Sequence, residues 1–466
     1  MTDASSNISG SVFLFLMSIL RNYILDLNLG HFKPTLIQYC INVQNKGRRL
    51  QKVLFALVLL VVINETLFAV DATLKIEKDV EQRAHISLMD CSSVLDNRMF
   101  NILLSDLKIS GHFLADKAHN TGNIANNLIS PTIKNSEYVL KYTIDKSSGA
   151  RLLIRLLKTS NKTQIFKKSY SIPNIAKTPF LVHKAISDIN KVLKYPDISW
   201  INRLVVYATY TNSGSSKIHL ADYTFNYKKT IVSGGLNLFP KWASDNQHSL
   251  YYTSYNGLIP TLYKLNIYTG AKSKIISSDG MLVCSDVSKD GSKLLVTIAP
   301  HGQADIYEFN LASHSKTRVT NFKGIDVNGR YIDNEQRVLF VSNRLGYANV
   351  FKKSIHSTGT SQVVYHGRNN NSCDANGDKI VYASRESQHS FASNTFNIYL
   401  GSISGGSTRP ITTTGSNQSP RFSRDGSVIL FLKQRKNHTS IGYVNLSSFK
   451  SLLFPYNGNK IQSIDW

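Results

Sequence analysis

Two stretches of the sequence carry the same turn signature. The segment VSKDGSKLLVTI (287–298) recurs as FSRDGSVILFLK (422–433), 135 residues further along the chain. Each places Asp-Gly-Ser between a basic residue and an apolar run rich in β-forming residues. Because glycine adopts positive φ at no steric cost, Asp-Gly between apolar segments is typical of a tight β-turn. The recurrence predicts a repeated strand–turn–strand unit.

The repeat has a period of about 44 residues. Equivalent positions at the centres of six apolar segments are Tyr207, Tyr252, Val296, Phe340, Tyr382 and Phe431, with steps of 45, 44, 44, 42 and 49. A second strand keeps similar spacing at Ile218, Leu262, Ile306, Val350, Ile398 and Ile441. The interval of 135 residues is therefore about three periods. Six repeats, each with three visible strands and room for a fourth, predict a six-bladed β-propeller over residues 196–466.

The insertion in the fifth repeat and the C-terminal segment can also be interpreted. The extra residues of the fifth repeat fall in 387–394, a polar segment predicted to be a loop. The terminal IQSIDW (461–466) is similar to FPKWASD (239–245), which enters another repeat. Because an open ring would expose unpaired strand edges, we predict that IQSIDW supplies the first strand of the blade containing LVVYAT (204–209).

Residues 70–195 have a different pattern and predict a small α/β domain before the propeller. The segment 93–111 places Leu95, Met99, Ile102, Leu103 and Leu107 on one helical face, and Gly111 is the expected stop. Strands are predicted at 138–144 and 150–157, and a second helix at 180–193. The predicted fold class is therefore mainly β, a six-bladed propeller preceded by an α/β domain.

Residues 46–69 have the pattern of an export signal. A flank with Lys46, Arg48, Arg49 and Lys52 precedes eleven apolar residues (53–63), and cleavage is expected after Ala69 or Ala72. A bilayer core requires about 20 apolar residues, so an uncleaved membrane anchor is the weaker alternative. Export signals normally lie at the N-terminus of a chain. Residues 1–45 are therefore predicted to be a non-native or mis-annotated extension, with translation starting near Val43 or Leu50.

The charge and the cysteines constrain the partners and the redox state. The chain has 54 Lys+Arg against 30 Asp+Glu, a formal charge of +24, which suits an anionic partner. The alternative is a background of dispersed, solvated lysines, and no module typical of nucleic-acid binding accompanies them. The exported chain would retain Cys91, Cys284 and Cys373, which are expected to be free thiols; a Cys284–Cys373 bridge is the alternative.

Motifs for catalysis and cofactor binding are missing from the sequence. It contains no G-x-x-x-x-G-K-[ST], G-x-G-x-x-G, H-E-x-x-H or C-x-x-C pattern, and no G-x-S-x-G nucleophile elbow. Turn formation accounts for Asp290 and Asp425, and His183 on its amphipathic helix is expected to be a packed or capping residue. We therefore predict a binding protein without catalytic residues, cofactor or metal.

Several motifs resemble those of the TolB family, the periplasmic component of the Tol–Pal system. DLKISGHF (106–113) is similar to the family's D-L-x-x-S-G-x-F run, and HKAISD (183–188) to its H-x-x-x-x-D helix. The two Asp-Gly segments are similar to its F-S-P-D-G-S-K-L-A-F repeat, with Lys289 and Arg424 in place of proline. The resemblance covers about residues 70–466, and KYPDISWIN (194–202) replaces the family's glycine-rich link between domains.

The resemblance implies a non-enzymatic periplasmic adaptor that supports outer-membrane invagination at cell division and envelope integrity. Its implied partners are the Pal lipoprotein, bound on a propeller face, and the inner-membrane protein TolA, bound through the mature N-terminus. Other outer-membrane proteins are further candidates, and nucleic acid is not. The alternatives are an exported propeller that binds carbohydrate or peptidoglycan, which aromatic residues at the channel mouth would favour, and a propeller hydrolase, which the missing elbow opposes.

Two candidate sites follow. In the segment 70–82, the TolA-type contact is assigned to Val70, Asp71, Leu74 and Ile76. The alternation of Leu74 and Ile76 with charged neighbours suits a segment that adds to a sheet edge or packs back on its own domain. Loops that enter the innermost strands gather at one channel mouth, and two of them are unusually apolar. The Pal-type site is therefore assigned to Met281, Leu282, Val283, Ile325, Asp326, Val327, Asn328 and Arg368. The alternative is that these apolar residues simply begin strands.

Overall fold

The computed structural model describes residues 83–466, apart from residues 213, 387–394, 407 and 436–437 and the side chain of residue 438. The predicted extension, signal segment, start site and N-terminal partner segment therefore lie outside the described residues, as does the polar loop of the fifth repeat. In the part of the chain that is described, no helix has the length and apolar character needed to cross a membrane.

The N-terminal domain is built on a mixed sheet. Its strands are β1 (Ala84–Asp90), β2 (Phe113–Ala115), β3 (Asn120–Thr121), β4 (Tyr138–Asp145), β5 (Ala150–Lys158) and β6 (Thr163–Ile172). The order is β2-β1-β4-β5-β6, with β3 also paired to β1. Strand β1 is parallel to β2, β3 and β4, whereas β4, β5 and β6 are joined antiparallel. Strand β6 is therefore an edge of the sheet.

Two helices, α1 (Asn97–Ser110) and α2 (Thr178–Val192), accompany this sheet. The Asp96 side chain accepts hydrogen bonds from the backbone N–H groups of Arg98 and Met99, and Gly111 ends α1 with φ 81°. These are the expected cap and left-handed stop. The prediction that Leu95 belongs to the apolar face was wrong: Leu95 precedes the Asp96 cap and is 53% exposed.

The second helix begins two residues earlier than predicted. Pro179 lies in its first turn, where the missing N–H removes no helical hydrogen bond and the fixed φ suits a helix start. Its buried face includes Val182, Ile186 and Ile189, which join the same core as α1 and the sheet. Short 3-10 turns are found at Ile175–Lys177, Ser199–Asn202 and Pro300–Gly302.

Six four-stranded antiparallel sheets follow, which confirms the predicted propeller. Blade 1 contains β30 (Ile461–Asp465), β7 (Val205–Asn212), β8 (Ser215–Ala221) and β9 (Lys228–Val232). Blade 2 contains β10 (Asn237–Trp242), β11 (Ser249–Ser254), β12 (Thr261–Asn266) and β13 (Lys272–Ser277). Blade 3 contains β14 (Leu282–Val287), β15 (Lys293–Ile298), β16 (Asp305–Asn310) and β17 (Lys316–Arg318).

The remaining three blades keep this arrangement, with shorter outer strands in two of them. Blade 4 contains β18 (Asp326–Ile332), β19 (Arg337–Ser342), β20 (Asn349–Ser354) and β21 (Thr360–Gln362). Blade 5 contains β22 (Arg368–Asn376), β23 (Lys379–Arg385), β24 (Phe396–Ser402) and β25 (Arg409–Pro410). Blade 6 contains β26 (Ser416–Phe422), β27 (Val428–Arg435), β28 (His438–Asn445) and β29 (Ser451–Tyr456).

The ring closes where the sequence predicts. Strand β30 pairs antiparallel with β7, and Ile464 lies opposite Tyr207. Ile461, Ile464 and Trp466 are buried, and the Trp466 Nε1–H donates to the Phe422 carbonyl of blade 6 at 2.9 Å. The C-terminal strand therefore covers the edge of β7 in blade 1 and also contacts blade 6, so that the ring is closed.

The Asp-Gly segments form turns, as predicted. Asp290 accepts from the Ser288 hydroxyl at 2.6 Å and from the Ser292 backbone N–H at 3.0 Å, while Gly291 has φ 74°. Asp425 accepts from Ser423 at 2.6 Å and from the Ser427 N–H at 3.2 Å in the equivalent turn. These hydrogen bonds explain why serine flanks each Asp-Gly, because the serine hydroxyls donate to the carboxylate of the aspartate in the turn.

Candidate partner-binding face of the propeller

One end of the propeller collects the loops that enter the innermost strands. Strand β14 starts with Leu282 opposite Ile298, the last residue of β15, and β18 starts with Asp326 opposite Ser342, the last residue of β19. In blades 2, 3 and 4, the loops between the second and third strands lie at this same end. We call it the mouth face and define it by residues 255–260, 278–281, 299–304, 323–325, 343–348 and 365–367.

Exposed apolar side chains are concentrated on the mouth face of blades 2 to 5. Met281 is 37% exposed and Ile325 is 50% exposed, as the sequence reasoning required. The face also exposes Leu258, Ile259, Leu345 and Tyr365, which were not among the predicted site residues. The available signal was the apolar pair Leu258-Ile259 in the segment between two strands, Ser249–Ser254 and Thr261–Asn266. Clustered exposed apolar residues are a mark of interaction sites, whereas isolated ones are ordinary.

Some predicted site residues lie beneath this face. Leu282 is fully buried in the core of blades 2 and 3. Asp326 is buried, and its two carboxylate oxygens accept from Arg344 Nη2 at 3.1 and 3.0 Å. The Asn328 amide donates to the Cys373 carbonyl at 2.8 Å. These three residues shape the loops and join neighbouring blades.

The other predicted residues lie at or near the surface. Val283 and Val327 are half-buried, next to the exposed Met281 and Ile325. Arg368 is exposed, and its guanidinium lies 5.3 Å from the centre of the Tyr347 ring, a cation–π arrangement. The structure therefore brings Met281 and Ile325 to the mouth face and Arg368 to its border, next to residues 365–367. The residues Val70, Asp71, Leu74 and Ile76 lie outside the described part of the chain.

A ring of six charged residues stands on the innermost strands, one from each blade. In blade order from blade 2 they are Lys241, Asp286, Arg330, Asp374, Arg421 and Asp465, so the sign alternates around the ring. Ion-pair distances are 3.1 Å for Lys241–Asp465, 3.6 Å for Lys241–Asp286 and 3.1 Å for Arg330–Asp374. The ring carries no net charge and couples each blade to its neighbours.

Each aspartate side chain of this ring also accepts a hydrogen bond from a backbone N–H group of the next blade. Asp465 accepts from the Trp242 N–H at 3.0 Å, Asp286 from the Tyr331 N–H at 2.9 Å, and Asp374 from the Phe422 N–H at 2.9 Å. Burial alone would raise the pKa of Asp465, but Lys241, Arg421 and Arg330 outweigh burial and hold that pKa below its usual value. No motif in the sequence indicated this ring, although its residues recur every 44 to 47 positions.

The two family-like motifs of the N-terminal domain meet at the propeller. His183 Nδ1 lies 2.8 Å from an Asp106 carboxylate oxygen, and His183 Nε2 lies 3.2 Å from Asp222 in the hairpin between β8 and β9. The Tyr223 hydroxyl donates to Asp106 at 2.5 Å. All four side chains are buried. This network, which we call the interdomain network, therefore joins α1, α2 and blade 1, and His183 is a packed residue as predicted.

The charges of the buried histidine and carboxyl groups in the interdomain network compensate one another. Burial opposes the charged imidazolium, but Asp106 and Asp222 outweigh it and raise the pKa of His183 to about 9. Burial raises the pKa of Asp106. Burial also opposes the charged form of Asp222, but His183 and the hydrogen bonds from Thr224 and Tyr227 outweigh burial and lower the pKa of Asp222. At neutral pH the histidine is therefore a buried cation between two carboxyl groups.

Cys91, Cys284 and Cys373 are free thiols, so the alternative Cys284–Cys373 bridge is not formed. Burial raises the pKa of Cys284 and of Cys373 to about 12, which leaves both thiols protonated and unreactive at neutral pH. Among the described residues, no group of three His, Cys, Asp or Glu side chains is arranged to hold a metal ion.

Comparison with known proteins assigns this architecture to a family. A model of the TolB beta propeller domain matches residues 199–466. The Tol-Pal system protein TolB of Wolinella succinogenes is 41% identical over 86% of this chain and 97% of its own, and that of Helicobacter hepaticus is 38% identical over 87% and 98%. The crystal structure of TolB from Acinetobacter baumannii shares the fold, with a TM-score of 0.68 at 21% identity over 82% of this chain and 96% of that one.

The family match, the identity and the coverage agree with the resemblance noted in the Asp-Gly repeats and in the motifs around Asp106 and His183. On these grounds the chain belongs to the family of Tol-Pal system TolB proteins.

Proposed function

We propose that this protein is a non-catalytic adaptor of the Tol–Pal system in the periplasm. It binds a Pal-like peptidoglycan-associated lipoprotein on the mouth face and a TolA-like inner-membrane protein through residues 70–82. In this way it supports outer-membrane invagination during division and the integrity of the envelope. Family membership supports the role in the Tol–Pal system, and the apolar mouth face is the observation that carries the proposed binding mode.

The chemistry of the mouth face supports a protein ligand. Its exposed apolar side chains are aliphatic or thioether groups, with Tyr365 as the exposed aromatic exception. Protein interfaces use such apolar centres with a polar rim, which Arg368 and the neighbouring asparagines supply here. An aromatic-lined mouth would instead favour the alternative of a carbohydrate or peptidoglycan ligand, and the composition of this face argues against it.

Changing Met281 and Ile325 together to aspartate should abolish the apolar centre without disturbing the fold, because both side chains are exposed. Truncating interface hot spots costs at least about 2 kcal/mol, so we expect roughly 30-fold weaker binding or more of the soluble domain of the Pal-like protein, measured by calorimetry. Circular dichroism and the TolA contact should not change.

The matched control is Tyr268→Asp. Tyr268 is 65% exposed in the hairpin after β12, at the end of the strands opposite the mouth face. This variant should bind the Pal-like domain with parental affinity. Parental binding by the double variant, or equal weakening by both, would place the lipoprotein on another surface.

Deleting residues 70–80 should remove the TolA contact while leaving Pal binding and the melting temperature close to those of the parent. The reason is that an extended segment can supply backbone hydrogen bonds to a partner's sheet without belonging to a domain core. Binding to the TolA-like domain is measured by fluorescence anisotropy, and a chain with residues 70–80 scrambled is the control for composition. TolA binding that survives the deletion would contradict the assignment.

A further inference from the structure

Strand β6 leaves a long sheet edge open. It contains ten residues (Thr163–Ile172) and pairs with β5 on one side only. Seven of its ten residues are exposed, including Ile165. Among the described residues, no backbone hydrogen bond joins β6 to anything other than β5. A strand of this length presents a row of unpaired N–H and C=O groups, which is a template for another strand.

The hairpin that carries this edge is strongly basic. Residues 146–187 contain nine lysine or arginine residues and no acidic residue. Six of these cations lie between residues 150 and 172, namely Arg151, Arg155, Lys158, Lys162, Lys167 and Lys168. Lys168 is neutralised by Asp188 at 2.7 Å on the side of the sheet that faces α2. The opposite face has no such carboxylate on β5 or β6.

Three cations form a row across that opposite face. Lys141 of β4 lies opposite Arg155 of β5, and Arg155 lies opposite Lys167 of β6. Like charges in directly opposite positions destabilise a sheet unless other groups compensate for them.

The inner two members of this row are compensated by a loop. The Lys141 ammonium donates to the carbonyls of Asn123 and Asn126 at 2.8 and 3.0 Å. The Arg155 guanidinium donates to Asn127 Oδ1 at 2.6 Å and to Gln164 Oε1 at 2.7 Å. The loop of residues 123–127 therefore covers the inner part of the row.

Lys167 is the outer member of the row, and the loop does not compensate it. Its side chain is exposed, and within the described part of the chain no hydrogen bond or ion pair of its ammonium is found. The position opposite Lys167 on an added strand is where a carboxylate would neutralise the row. Opposite charges in such cross-strand positions are favourable.

We propose that the free edge of β6 is a docking site for an acidic, extended segment of a partner protein, which adds a strand beside β6 and places a carboxylate opposite Lys167. A second copy of this chain is a poor occupant, because pairing of two β6 edges would bring their lysines together. Lysines on an edge strand oppose self-association in this way. This surface lies on the N-terminal domain, and its test is independent of the mouth face.

The probe for the test is a synthetic eight-residue peptide, Glu-Val-Glu-Val-Glu-Val-Glu-Val, with a fluorophore at one end. We expect it to bind the full chain, with affinity that falls as salt increases, and to slow hydrogen exchange of amides in β6. The same peptide with lysine in place of glutamate should bind at least about tenfold more weakly.

Two N-methylated versions of the probe distinguish strand addition from general charge attraction. Each carries methyl groups on alternate residues, so that only one of its two backbone edges remains able to pair. Because an added strand uses one edge, one version should bind like the parent peptide and the other at least about tenfold more weakly.

On the protein, Lys162→Glu with Lys167→Glu should weaken binding of the acidic probe about tenfold or more. Lys117→Glu with Lys274→Glu is the matched control, since both lysines are exposed and neither lies on β5 or β6, and it should alter binding less than about twofold. Equal weakening by both pairs, equal binding of both N-methylated probes, self-association through β6, or no binding of the acidic probe would each overturn the proposal.

Discussion

Truncation of the chain after Lys460 is expected to prevent the propeller from closing. The change removes β30, and with it three buried apolar side chains (Ile461, Ile464 and Trp466) and the ring aspartate Asp465. Loss of one buried isoleucine or tryptophan side chain typically costs about 2–5 kcal/mol. Three such losses sum to about 6–15 kcal/mol, which is comparable to the roughly 5–15 kcal/mol by which a domain is folded.

The hydrogen bonds lost with β30 strengthen this expectation. Asp465 bonds to the backbone of Trp242 in blade 2, and Trp466 bonds to the backbone of Phe422 in blade 6. The truncated chain should therefore aggregate, or melt far below the parent in calorimetry, with rapid hydrogen exchange in β7. A synthetic peptide of residues 460–466 added in trans should raise the melting temperature, and a scrambled peptide should not. A soluble truncation with the parental melting temperature would mean that the ring closes in another way.

Replacement of His183 by glutamine is expected to destabilise the protein by about 3–5 kcal/mol at neutral pH. The imidazolium is the cation between Asp106 and Asp222, and removing one partner from a buried charged group leaves the others uncompensated. The pKa gives a similar magnitude, since the difference between an ordinary value of 6.5 and about 9 corresponds to roughly 3 kcal/mol.

The sign of the pH dependence follows from the raised pKa. The stabilisation from His183 is fully present below pH 6.5, the unfolded value, and is lost as the pH rises through about 9. The raised pKa of Asp106 also lowers stability as the pH rises, but that loss begins near pH 3.8, so the interval from pH 6.5 to 9 is attributed to His183. The parent should therefore lose stability between pH 6.5 and 9, and His183→Gln should lose much less over that interval.

Urea unfolding at pH 6, 7.5 and 9 measures both effects. His356→Gln is the control, because His356 is exposed in the turn after β20 and should leave stability and its pH dependence unchanged. The double variant Asp106→Asn with His183→Gln should recover part of the loss, because it also removes one buried charge. If His183→Gln keeps the parental free energy of unfolding and loses it above pH 6.5 as the parent does, this role of the interdomain network is wrong.

Local signals predicted the repeating parts of this protein well. The Asp-Gly turns need a glycine with positive φ and flanking serines. The blade strands need alternating apolar residues. Both the turns and the strands can therefore be predicted from short segments. The failure at Leu95 was also local: helical spacing included that residue, but the Asp96 cap placed the helix start after it. Tail closure was predictable because IQSIDW is similar to the strands that begin other blades.

The candidate binding face was only partly predictable. The sequence indicated that residues 281–283 and 325–328 enter innermost strands, but not which side chains point outward. Met281 and Leu282 are neighbours, yet the first is exposed and the second is fully buried. A shift of one residue in strand register exchanges the two environments, and register is established by pairing with Ile298.

By itself, the sequence determined the number of blades, the turns between their strands and the strand that closes the ring, because each depends on a pattern within a few residues or on a regular spacing. Tertiary structure alone decided which charged groups compensate one another. Asp106 and His183 are 77 residues apart and meet only after both helices pack on the sheet and on blade 1. The alternating ring likewise depends on six strands converging on one axis, because an ion pair is a matter of distance in space and not of position along the chain.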